Sequence, residues 1–371
     1  MKHNGLTSLF FALLLQLSTA QQANVLESDV IGFSSRIEVD RSRPSTRDGS
    51  FGRLIQINTW YPTQAEKKAE RMLFSDYLRI KSAEMGETAS EENYRKTVEE
   101  YYQWPLSQGA DKALLDSIAS AKLPMNAIKN ASMAEGKHPV VLLIHGSAVD
   151  FAFLGESLAE MGYVAVNVPI KGYRQQELDV NSIGMETEIR DYEFALSVLS
   201  ENEQLNLSGM IAIGFSFGGQ SALGLACRNP NIKSVISYDG GIGDRFGARL
   251  LNESHFCAPE NVKADLLHIY DASFARTYLD KIKSMVYAKR TLVGLNKIAH
   301  WHFTSFGHLA SLIPGLFGEN KFALNGYETI LRITKAYLNS GSEKTQSELK
   351  FPETEFDLLH KVEYFEPIKT D

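Results

Sequence analysis

One serine in this chain stands where a nucleophile could be built. Gly214-Phe215-Ser216-Phe217-Gly218 fits the spacing G-x-S-x-G. Met210 to Ile213 ahead of it read as a short buried strand, and Gln220 to Ala226 behind it as a helix. Strand, sharp turn and helix form the context in which this spacing makes a nucleophile elbow. A serine raised on a strained turn leaves no room for a Cβ two residues before or after it, which accounts for the glycines. The turn also aims the first amides of the helix at the reacting centre, where negative charge develops. The bland alternative is a Gly-rich turn without chemistry, so the rest of a site must be found.

A serine hydroxyl needs a base within hydrogen-bond reach and a third group to orient that base. On an elbow of this kind the chain order is serine, acid, histidine. His300, His302 and His308 all follow the last predicted strand, and Asp239 and Asp271 each end an apolar strand. The carboxyl ends of strands are where α/β sites are built. Asp239 precedes Gly240-Gly241, which permits a tight turn toward the elbow, whereas Asp271-Ala272-Ser273 could cap a helix over Phe274 to Tyr287. The residues alone leave both acids and all three histidines open. Two amides should face the oxyanion: that of Phe217, and that of Ser147 in His145-Gly146-Ser147. His145 precedes the serine, the wrong order for a base, and is expected to be buried and satisfied by backbone. Arg190 and Asp191, on the helix Met185–Leu199, read as a surface or inter-element ion pair.

These residues need a scaffold. From Pro139 apolar strands alternate with helices: strands at Val140–Ile144, Tyr163–Val168, Ser234–Tyr238, Leu266–Tyr270 and Thr291–Leu295, with helices at Phe151–Met161 and Met185–Leu199. Continuous apolar strands alternating with helices predict a mostly parallel sheet covered by helices on both faces. Residues 28–62 read as strands of the same domain, and residues 63–137 as a helical cap, since a structureless loop of that length would be unusual. Tyr101, Tyr102 and Trp104 are its candidate pocket-lining aromatics. Residues 138–345 form the core, and 346–371 a loosely packed polar tail.

Residues 1–20 read as a secretory signal peptide: Lys2, then the apolar run Leu9 to Leu15, then Ser18-Thr19-Ala20 as a cleavage site. The expectation is a secreted or periplasmic protein cleaved after Ala20. No later run is long and apolar enough to suggest stable membrane insertion. The formal charge of −7 becomes −8 once Lys2 is removed, and with no basic run nucleic acid is not an expected partner. The only cysteines, Cys227 and Cys257, do not make a zinc spacing, and Cys227 is expected as a buried free thiol. The chemistry calls for no metal and no organic cofactor.

Several of these pieces resemble a known group. The chain is similar to α/β-hydrolases of the dienelactone-hydrolase-like group, and most to the platelet-activating-factor acetylhydrolase branch, from about Asp40 to Phe306. The likeness rests on Trp60-Tyr61-Pro62, on Val140 to Gly146, on the elbow Gly214 to Gly219 (G-H-S-F-G-G in that branch, with Phe215 here for its histidine), and on His300 to Phe306 (H-x-x-F-x-D-F, with Ser305 for its aspartate). It implies Ser216 as nucleophile, His300 as base and Asp239 as acid; Asp271 and His302 remain the alternatives that the residues themselves leave open. It further implies hydrolysis of a short-acyl or lipid-like carboxylic ester through an acyl-enzyme. A serine peptidase on the same fold and a non-catalytic binding protein are the rival readings.

Overall fold

Val140, Leu142 and Ile144 turn to one face of their strand, Val141 and Leu143 to the other, and none is more than 1% exposed. A strand buried on both faces must sit inside a sheet with a layer on each side. The computed structural model describes residues 30–43, 52–84, 90–173, 177–255, 257–273, 278–318, 322–340 and 357–368. The strands are β1 (Ile31–Asp40), β2 (Arg53–Pro62), β3 (Ala127–Lys129), β4 (His138–Ile144), β5 (Val164–Asn167), β6 (Leu205–Phe215), β7 (Ile232–Tyr238), β8 (Asp265–Asp271), β9 (Arg290–Leu295) and β10 (Leu359–Phe365). They form one ten-stranded sheet in the order β10-β9-β8-β7-β6-β4-β5-β2-β1-β3. The six strands from β5 to β9 across the middle are parallel; β2 and β10 flank them antiparallel.

Helices Ala152–Glu160, Ser305–Leu312 and Gly326–Ser340 cover one face, with Phe303 and Phe306 in that core. Helices Ser182–Leu199, Gly218–Arg228 and Arg245–Glu253 cover the other. The chain leaves β4 to make β5 on one side and returns to make β6 on the other. The crevice at the carboxyl ends of β4 and β6 is therefore a topological switch point, where α/β sheets bind ligands.

The insertion contributes helices Phe74–Ser82, Glu91–Ser107 and Lys112–Ser120. Ser90 accepts the amide of Asn93 and Asp111 that of Leu114, so two of the three start on side-chain caps. A buried chain of hydrogen bonds ties the insertion to the core. Trp60 Nε1 donates to the Tyr77 hydroxyl at 2.9 Å, and that hydroxyl donates to Glu156 at 3.1 Å. Glu156 also accepts the amides of Asn126 and Ala127. Burial outweighs these lowering contacts and pushes its carboxyl up to about 7.

Some expectations need correction. Leu359–Phe365 is not a loose tail but an edge strand pairing with β9, Val362 opposite Val293. Its polar character suits an edge, where charge discourages further pairing. The helix expected over Phe274–Tyr287 is a single turn, Asp280–Lys283, with 274–277 outside the described residues. Cys227 and Cys257 are bridged, Cα atoms 5.2 Å apart, because the segment after helix Arg245–Glu253 folds back onto the elbow helix. Arg190 pairs with Glu186, while Asp191 takes a bidentate contact from Arg53 and another from Arg43. The predicted signal peptide lies outside the described residues, and among those described no helix is long and apolar enough to cross a membrane.

Candidate active site

Ser216 sits between β6 and helix Gly218–Arg228 with φ 53°, a left-handed conformation that costs a serine energy. The surroundings hold it there. Its amide donates to Tyr238 O at 3.0 Å and its carbonyl accepts the Gly241 amide at 2.9 Å. The flanking glycines are sterically required. A Cβ on Gly214 would lie 2.1 Å from the Gly218 carbonyl oxygen, and one on Gly218 would lie 2.4 Å from that of Ile144.

Asp239 follows β7 and is also left-handed, at φ 45°. Its amide donates to Ile269 O at 2.7 Å, which ties the turn after β7 to the neighbouring strand β8. His300, at the head of the short turn His300–Phe303, meets Asp239 Oδ2 through Nδ1 at 2.6 Å. The aromatic rings of Phe215 and Trp104 stand beside that imidazole, centroids 4.6 Å and 6.3 Å away.

The other candidates are engaged elsewhere. Asp271 Oδ1 accepts the amide and hydroxyl of Ser273, and burial raises its carboxyl above the ordinary range. His302 takes the Ala299 amide at Nδ1, meets Ala323 O at Nε2 and stacks on Trp301; burial brings it down to about 4. His308 faces Glu328 at 3.4 Å. His145 is satisfied not by backbone but by Glu188, at 3.2 Å.

Phe217 heads the elbow helix, as the turn requires. Ser147 is placed differently from its expected role: its amide donates to Asp150 Oδ2 at 2.7 Å, closing the turn after β4. Asp150 Oδ1 accepts the Tyr101 hydroxyl at 2.9 Å, and the Asp150 carbonyl accepts both the amide and hydroxyl of Ser305. One aspartate thus joins the loop after β4, the cap and the segment carrying His300.

Ser216, Asp239 and His300 share the wall of one cavity of about 390 Å³ with Phe217, Gln220, His268 and Asp271. From the cap only Gln108 lines it among the described residues. Tyr101 and Trp104 instead pack against Phe306, and Tyr102 is buried within the cap. Sequence reasoning missed Gln220, His268 and Asp150. Gln220 could have been suspected from its place in the first turn after the elbow. His268 lies inside an apolar strand and gave no signal; burial holds it near 4 while its Nδ1 meets Ser237 Oγ.

No protein-family model matches the chain, and no curated protein matches it. Among solved structures, a ferulic acid esterase from Streptomyces cinnamoneus superposes with a TM-score of 0.61 at 16% identity, over 92% of this chain and 99% of that one. At that identity the likeness carries architecture and not activity. With its mostly parallel sheet, helices on both faces and a helical insertion, the chain has the α/β-hydrolase fold.

Proposed function

We propose that the protein is a carboxylic ester hydrolase acting through an acyl-enzyme on Ser216. The observation that carries this reading is the 2.6 Å contact of His300 Nδ1 with Asp239 in the wall of the cavity that also holds Ser216 on its strained turn. Asp239 fixes the imidazole with its Nδ1 protonated, leaving Nε2 to take the proton of the serine hydroxyl. The alkoxide attacks the ester carbonyl, and the oxyanion is met by the Phe217 amide at the positive end of the elbow helix. Collapse expels the alcohol with the proton from His300. Water then repeats the sequence to release the acid. The motif likeness to the platelet-activating-factor acetylhydrolase branch is what supports short-acyl or lipid-like esters as the substrates. The leader-like N-terminus supports export, to a compartment that permits the Cys227–Cys257 bridge.

The test is Ser216→Ala assayed on activated esters. Turnover should fall by roughly four to six decades with the fold unchanged by circular dichroism. An active Ser216→Ala would show that the nucleophile lies elsewhere.

A further inference from the structure

The cavity beside Ser216 is lopsided. His300 and Asp239 are in its wall, but no residue of the 145–147 loop is. The oxygen that leaves in the first half-reaction takes its proton from His300, so this is the side on which the alcohol departs. Its polar lining consists largely of acceptors. The side-chain oxygen of Gln220, a residue 1% exposed, is buried without a hydrogen-bond partner among the described residues. A Cβ on Gly241 would come within 2.7 Å of that oxygen, so only glycine fits against the Gln220 amide there. Asp244 and Asp271 also line the cavity; each spends Oδ1 on a local turn, on the Gly247 amide and on Ser273, and the second oxygen of each has no hydrogen bond among the described residues. No described lysine or arginine lines the cavity. An unpaired buried acceptor is costly unless something donates to it.

We infer that this chamber is the alcohol subsite and that it takes a hydroxyl-bearing alcohol, a polyol or sugar, whose free hydroxyls donate to Gln220, Asp244 and Asp271. The inference rests on the ester-hydrolase reading of the same site and adds the class of leaving group. Hydroxyls fit better than a bare cation because the acceptors are spread over three elements and one of them, Gln220, is neutral. Several separate donors satisfy that arrangement, whereas a single charge does not. A carboxylate-bearing alcohol would be repelled.

The test compares three acetate esters at equal acyl group: glyceryl, n-propyl and choline. Glyceryl acetate should exceed n-propyl acetate in kcat/KM by about tenfold or more, because its hydroxyls satisfy acceptors that the propyl chain leaves unpaired. Choline acetate, which carries charge but no donor, should not exceed glyceryl acetate. Asp244→Asn, which keeps the helix cap but turns an acceptor into a donor, and Gln220→Met should each lower the glyceryl-to-propyl ratio severalfold. Equal rates on glyceryl and propyl esters, a preference for choline, or an unchanged ratio in both variants would overturn the inference. A flat series with Ser216 still labelled by a fluorophosphonate sinks only the subsite. No turnover and no labelling sinks the ester-hydrolase reading and the subsite with it.

Discussion

Asp239 offers one carboxylate oxygen to His300 Nδ1 at 2.6 Å and the other to the backbone amide of Asp271 at 3.1 Å. The two acids that look alike in the sequence therefore have unlike positions. Asp271 holds Asp239 through its main chain, and its own side chain closes a local turn onto Ser273.

Asp239→Asn should keep the fold but hold the imidazole in the wrong tautomer. Turnover is expected to drop on the order of ten-thousand-fold, by analogy with the same change in serine proteases. Asp271→Asn leaves the main-chain amide in place and should stay within roughly tenfold of the parent. The paired variants, assayed on one activated ester, decide the assignment; a dead Asp271→Asn beside an active Asp239→Asn reverses it.

The strand–helix rhythm and the elbow were legible because buried parallel strands write continuous apolar runs, and because Gly214 and Gly218 leave a mark at fixed spacing. The choice between Asp239 and Asp271 depends on which strand end His300 reaches, a relation between residues 61 apart that no local pattern carries. Edge strand β10 was hidden by its polar residues, and the Cys227–Cys257 bridge by the fold of the intervening segment. The cap aromatics could have been sorted in advance. Positions 101 and 104 share a helix face while 102 turns away, and only the first two reach Phe306.

That sorting has separable consequences. Tyr102→Ala, at a site 4% exposed, should cost about 3 kcal/mol of stability, seen as a lower denaturation midpoint. Trp104→Ala removes a ring standing against His300 and should instead lower kcat more than it lowers stability. Identical profiles for the two variants would contradict the distinction.

Glu156 makes stability depend on pH with a definite sign. Its carboxyl is held up to about 7 by burial against an ordinary value of 4.5, so the folded chain keeps a proton that the unfolded chain releases. This contribution is whole below the unfolded value and is lost as pH rises through about 7, a swing on the order of 3 kcal/mol. Relative to the parent, Glu156→Gln should therefore gain stability between pH 5 and pH 8. Subtracting the parent curve cancels other groups, including the buried His268 and His302. A constant difference across that range would refute the assignment.

The bridge between Cys227 and Cys257 closes a loop of sequence separation 30 and fastens the elbow helix to the segment after Arg245–Glu253. Replacing both cysteines with alanine should cost about 3 kcal/mol, measured by chemical denaturation. The parent should show the same loss on reduction. If reduction leaves the parent's midpoint unmoved, the bridge does not contribute.

The acyl-enzyme is the central claim, and trapping it is the most direct measurement. Rapid quenching during turnover of an activated acetate ester, followed by peptide mass spectrometry, should find one acetyl group on Ser216, formed in a burst before steady state. In Asp239→Asn the burst should slow in step with turnover. A burst with Ser216 unmodified, or an acetyl group carried by another residue, would contradict the account.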